Sequence, residues 1–174
     1  MSWVVLTGYM GAGKSTVGRD LATRLDRAFV DSDDRIEADA GIDIPRIFAT
    51  KGEVWFRRTE ERTIREIVSG EPAGVLAVGG GALESARTRD FLSRSAVVVW
   101  LDADADALWE RVTGSTRPLA ADQSRFVRRY DRRRPAYAAA AQAVIDASRP
   151  FDVVATEVEA VVRGRLGAGP GSAA

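Results

Sequence analysis

Gly8-Tyr9-Met10-Gly11-Ala12-Gly13-Lys14-Ser15, followed by Thr16, is the stretch around which the rest of the chain is organised. It fits the pattern G-x-x-x-x-G-K-[ST], and its neighbours decide how it is read. Before it runs Trp3-Val4-Val5-Leu6-Thr7, a short apolar, β-branched run that reads as a buried strand. After it Val17, Leu21, Ala22 and Leu25 recur at helical spacing, with polar Arg19, Asp20 and Arg24 between them. Strand, glycine loop and helix stand in the order that a phosphate-binding loop requires. Glycines let the backbone curl until successive N–H groups point at one anion, and the first helical turn adds its own donors and dipole. The expected nucleotide contacts are Gly11, Ala12, Gly13, Lys14, Ser15 and Thr16. Lys14 reaches the β- and γ-phosphates in this reading, and the Ser15 hydroxyl ligates Mg²⁺. The bland alternative, a βα turn that binds nothing, does not account for the lysine and hydroxyl in place.

A chain of 174 residues is of single-domain size and can bury a real core. Apolar and charged fractions of 45% and 29% are those of a soluble globular protein. Acids and bases balance at 25 each, which gives no reason to expect nucleic acid or an acidic membrane surface as partner. Lys14 and Lys51 are the lysines among those bases and the other 23 are arginines, so Lys14 stands against a strong bias toward arginine. Without cysteine or histidine there are no disulfides, no thiolate metal sites and no histidine acid–base chemistry. No apolar run has the length of a membrane span and none reads as a signal peptide, which points to the cytoplasm.

Further strands are expected at Ala28–Asp31, Val75–Val78, Ala96–Leu101 and near Ala143–Asp146. The uninterrupted apolar run Ala96–Leu101 suggests a central parallel position. Helices are expected over Glu53–Val68, Ser85–Ser93, Asp104–Thr113, Arg125–Ala141 and Val153–Leu166, with shorter ones around Ile36 and Ile47. Alternation of strands and helices with short connections predicts an α/β fold in three layers (α/β/α) around a five-stranded parallel sheet. The domain runs over residues 1–166, with a loosely held segment at 114–123 and a disordered Gly/Ala/Ser/Pro tail at 167–174.

In such a sheet ligands bind outside the carboxyl ends of the strands. Three polar groups fall there: the phosphate loop, Asp31 and Asp33, and Gly79-Gly80-Gly81. Aspartates in that place suit holding Mg²⁺ and orienting an acceptor hydroxyl as base. The plainer reading is that Asp33 or Asp34 caps the following helix. Three glycines after a strand allow backbone amides to approach a ligand. Most arginines must be solvated surface, but Arg57, Arg117 and one of Arg132, Arg133 and Arg134 are candidates for gripping phosphate or carboxylate.

These stretches together resemble the shikimate kinase family. The resemblance rests on Gly8-x-x-Gly11-x-Gly13-Lys14-Ser15-Thr16, Asp31-x-Asp33-x-x-Ile36-Glu37, Ile44-Pro45-x-Ile47-Phe48, Gly52-Glu53-x-x-Phe56-Arg57-x-x-Glu60, Gly79-Gly80-Gly81-Ala82, Arg117-Pro118-Leu119 and Arg133-x-Pro135-x-Tyr137, in the family's order. It implies a nucleoside-monophosphate-kinase-like fold with a mobile lid. It also implies transfer of the ATP γ-phosphoryl to the 3-hydroxyl of shikimate, with Mg²⁺ as cofactor. Asp33 would bind that hydroxyl as base, and Asp31 would help Ser15 hold the metal. Arg57 and Arg133 would grip the carboxylate, and Gly79, Gly80 and Gly81 the ring hydroxyls. Arg117 would close with the lid, and Arg111 would stack on adenine. The expected partners are ATP and shikimate, on a monomer. The lid stretch is short, and Ala120 stands where a second leucine often follows Arg-Pro-Leu. Two competing readings are a kinase of another hydroxylated acid such as gluconate and a nucleotide-binding regulator without catalysis.

Overall fold

The computed structural model describes residues 2–70, 72–113 and 123–167. Among these are five strands: β1 (Trp3–Thr7), β2 (Phe29–Asp31), β3 (Val75–Ala77), β4 (Ala96–Asp102) and β5 (Ala143–Asp146). Seven helices are described with them: α1 (Lys14–Leu25), α2 (Ser32–Ala40), α3 (Ile44–Ser69), α4 (Ala86–Ser95), α5 (Ala105–Val112), α6 (Gln123–Ala140) and α7 (Phe151–Gly167). A 3₁₀ turn spans Ala82–Glu84. All strands are parallel, in the order β2-β3-β1-β4-β5.

The order makes β1 the middle strand, with Val5 opposite Leu76 on one side and Val98 on the other. Val4, Val5 and Leu6 are fully buried, as an all-apolar strand covered on both faces must be. β4 is interior too but lies one place off centre, because its second neighbour is the short edge strand β5. The strands after β1 are laid down first on one side of it (β2, β3) and then on the other (β4, β5), so the phosphate loop lies at the point where the strand order switches.

α3 differs from expectation. Two helices meet there across a kink at Gly52 (φ 80°, ψ 166°), the short one expected around Ile47 and the longer one expected from Glu53; what differs is that they run on without a loop between them. The side chain of Asp43 caps the start by accepting from Arg46 N–H, with Pro45 in the first turn. Beyond the sheet, Ile36, Ile47 and Phe56 form a separate apolar cluster, with the Phe48 ring tilted against Phe56 at 4.8 Å between centroids. Emptying one such buried position costs about 2–5 kcal/mol. The cluster fixes α2, which carries Asp33, against α3, which carries Arg57.

Candidate active site

The turn after β1 is shaped by close approach. Gly8 has φ 145°, and a Cβ there would lie 2.5 Å from the Leu101 carbonyl of β4. Gly11 is pressed in the same way onto α5, with the Leu108 carbonyl 2.9 Å from its Cβ position. Lys14 opens α1 and folds back over the loop, donating to the carbonyls of Gly8 (2.9 Å) and Tyr9 (3.1 Å). An ammonium tethered to two carbonyls is held where an anion in the loop would draw it away. Arg111, at the end of α5, donates to the Gly11 carbonyl at 3.3 Å.

Ser15 and Asp31 meet. The hydroxyl donates to Asp31 Oδ2 at 2.6 Å, while Oδ1 accepts from Asp33 N–H at 3.0 Å. Asp31 is therefore the cap of α2, where Asp33 or Asp34 was the plainer reading, and its helical cap bond turns Oδ2 toward the loop. This leaves Asp33 inside the first turn, facing the end of β3. No group of three or more carboxylate, His or Cys ligands is present among the described residues. One hydroxyl beside one carboxylate fits Mg²⁺, which takes one or two protein oxygens and completes its shell with phosphates and water.

The glycine triplet is crowded from the other side. A Cβ at Gly79 would sit 2.7 Å from both Asp33 Oδ1 and Glu60 Oε1. At Gly81 it would sit 2.5 Å from Arg57 Nη1, and at Gly80 3.8 Å from Arg133 Nη1. The N–H of Gly79 donates to Ser32 Oγ at 3.1 Å, so at that position the triplet offers a ligand room and not a donor. Tyr137 on α6 donates to the Gly80 carbonyl and pins the turn.

Both candidate clamp arginines carry an internal carboxylate. Arg57 Nη1 donates to Glu60 Oε2 at 2.7 Å. Glu60 is 3% exposed, and its Oε1 has no hydrogen-bond partner. Burial pushes the Glu60 carboxyl up to about 7, against the charge and hydrogen bond of Arg57, and Asp33 pushes it the same way. Arg133 is 4% exposed and gives Nε and Nη2 to Glu84 Oε2 at 3.0 and 2.8 Å. Sequence reading assigned no role to Glu60, Ser32 or Glu84. The three-residue spacing of Arg57 and Glu60 on a helix is a usable signal; Glu84 and Arg133, 49 positions apart, offer none.

Lys14, Ser15, Asp31, Asp33, Arg57, Gly79–Gly81 and Arg133 are brought near one another at the carboxyl ends of β1, β2 and β3. Arg117 and the lid lie outside the described residues, apart from Gln123, which opens α6. Of the expected tail, Gly167 closes α7 and 168–174 are likewise outside.

A phosphate loop at the switch point of a parallel sheet, with an acidic pair beside it, defines a phosphate-loop phosphotransferase. The family model described as shikimate kinase matches residues 10–163. A shikimate kinase of Nitrobacter winogradskyi is 43% identical over 167 residues, covering 94% of this chain and 78% of that one. The structure of shikimate kinase from Acinetobacter baumannii in complex with shikimate superposes with a TM-score of 0.85 at 35% identity, covering 95% and 96% of the two chains. This chain belongs to the shikimate kinase family. A gluconokinase from Sinorhizobium meliloti shares the fold at a TM-score of 0.63 and 19% identity.

Proposed function

We propose that the chain transfers the γ-phosphoryl of ATP to the 3-hydroxyl of shikimate, giving shikimate 3-phosphate and ADP. One arrangement carries this reading: a carboxylate (Asp33, at Gly79) and two guanidinium groups (Arg133, at Gly80, and Arg57, at Gly81) line successive positions of one three-glycine turn. Gly79 and Gly81 are at most ~7 Å apart along extended backbone, a spacing that suits a hydroxyl and a carboxylate on one small acceptor. Family membership and the relative solved with shikimate support the cyclic acid. The gluconokinase likeness supports the scaffold alone.

In this reading Asp33 accepts the proton of the acceptor hydroxyl as that oxygen attacks phosphorus. Lys14 leaves the carbonyls of Gly8 and Tyr9 for the phosphates, and the amides of Gly11 to Thr16 cradle them. Ser15 and Asp31 hold Mg²⁺, which when bound neutralises charge on the phosphate oxygens. The resemblance assigns Arg117 to the transferring phosphoryl and Arg111 to adenine. The reading includes a monomeric, single-domain, cytoplasmic enzyme. No helix among the described residues is long and apolar enough to cross a membrane.

A coupled ADP-release assay with shikimate, quinate and gluconate tests the proposal. Turnover with shikimate is the expected result; turnover with gluconate but not shikimate overturns it.

A further inference from the structure

Glu84 follows the glycine triplet, on a 3₁₀ turn whose backbone is tied to it. The Ala82 and Glu84 amides donate to the carbonyls of Gly79 and Gly81, each at 3.0 Å. The Glu84 carboxylate is therefore anchored to the wall of the acceptor site and not to a free surface loop. Its Oε2 takes both donors on one edge of the Arg133 guanidinium, Nε and Nη2. Its Oε1 also accepts from Arg132 Nη2 at 3.3 Å, a contact that is mostly exposed and so contributes little. Burial raises the cost of the Glu84 charge, yet the hydrogen bonds and charge of Arg133 outweigh it and hold the carboxyl below its usual range.

A guanidinium has five N–H donors spread over more than one edge. Glu84 occupies the Nε side. Nη1 lies on the other side, 3.8 Å from the Cβ position of Gly80 and facing the triplet. The ring of Tyr9 lies against the same guanidinium, 5.6 Å from Cζ. Arg133 thus has one edge gripped, one face covered and one edge presented to the acceptor. A buried guanidinium stays charged, so it needs a partner to offset its desolvation and hold it in place, and a partner on the Nε side leaves the opposite edge for a ligand.

We propose that Glu84 is a positioning residue for the acceptor: it holds Arg133 by its Nε edge so that the Nη1 edge meets the substrate carboxylate. The proposal deepens the function given above and rests on it. Glu84 does not compete with the substrate for Arg133, since the two carboxylates use different edges.

The experiment compares Glu84→Ala and Glu84→Gln with the native enzyme. Glutamine keeps an oxygen that accepts both Arg133 donors, whereas alanine removes it. Glu84→Ala should raise KM for shikimate at least about ten-fold with kcat within about three-fold, because a charge-assisted contact to the bound acceptor is loosened. Glu84→Gln should recover most of that loss, and affinity for an ATP analogue should be unchanged in both. In an Arg133→Ala background Glu84→Ala should add nothing further. Solvent exchange of the Arg133 Nε–H NMR signal reads the grip without any acceptor: slow in the native enzyme and in Glu84→Gln, fast in Glu84→Ala. Acceptor affinity in Glu84→Ala equal to or tighter than native overturns the proposal, as does Glu84→Gln as weak as Glu84→Ala, additivity with Arg133→Ala, or fast exchange in the native enzyme. If shikimate is not a substrate at all, the function fails and the exchange measurement still decides the role of Glu84.

Discussion

Arg57 Nη1 donates to Glu60 Oε2 at 2.7 Å within one turn of α3, and the pair is unequal: 30% of the arginine side chain is exposed but 3% of the glutamate. Burial acts on both partners, but at the more deeply buried carboxyl it outweighs Arg57 and pushes the group up to about 7. A carboxyl with a raised folded-state value stays protonated in the native state while the unfolded chain ionises. Between its ordinary value near 4.5 and about 7 the native state therefore binds more protons, and stability falls as pH rises through that window. Glu60→Gln removes this contribution. The difference in melting temperature between native and variant should change steadily from pH 5 to pH 7 and level off above; a flat difference shows that Glu60 titrates normally.

Lys14→Ala should cut kcat by at least about a hundred-fold, since a positioned cation on charge that grows in the transition state contributes at least as much as one oxyanion-hole donor. The fold should survive, because the contacts of the Lys14 ammonium with the Gly8 and Tyr9 carbonyls are only partly buried. Circular dichroism with steady-state kinetics checks both halves. Native-like turnover would end the phosphate-loop mechanism for this chain.

Asp33→Asn should lower kcat far more than it weakens ATP binding, since the amide still touches the hydroxyl but cannot take its proton. Retention of more than about a third of native turnover, under ~1 kcal/mol of barrier, would show that Asp33 is not the base.

Gly79→Ala tests the same carboxylate from the opposite wall. Its methyl group would need space 2.7 Å from Asp33 Oδ1 and from Glu60 Oε1, so both must shift. Since a misplacement of about 1 Å costs on the order of a hundred-fold, kcat should fall steeply while the nucleotide site is untouched. Native kinetics in this variant would mean that the carboxylates yield freely and that their placement does not limit the reaction.

Arg57→Ala and Arg133→Ala should act on the acceptor and leave affinity for an ATP analogue nearly unchanged. Losing one partly desolvated carboxylate–guanidinium contact costs about 2–4 kcal/mol, or roughly thirty-fold to several hundred-fold. Arg→Lys should restore only part, because an ammonium lacks the fork. Titration with shikimate and, separately, with the nucleotide analogue is the measurement. Unchanged shikimate affinity with weakened nucleotide binding would show that these arginines read phosphate.

The nucleotide half of this protein was legible because it is contiguous. From Trp3 to Leu25 the strand period, the glycines and the helical repeat are local, and each is enforced by contacts a few residues apart. The parallel three-layer fold was legible for a similar reason: alternating elements with short connections leave few topologies. Tertiary structure alone decided which strand lies in the middle, since an apolar run shows that β4 is covered but not by what. It also decided that Asp31 caps α2, which frees Asp33 to face Gly79. The acceptor half brings together residues 33, 57, 60, 79–81, 84 and 133 from α2, α3, the loop after β3, the 3₁₀ turn and α6. Their side chains meet only after the sheet and the Ile36–Ile47–Phe56 cluster have closed around them. Sequence spacing names the kinds of groups available, but which edge of Arg133 faces the site depends on Glu84, 49 positions away.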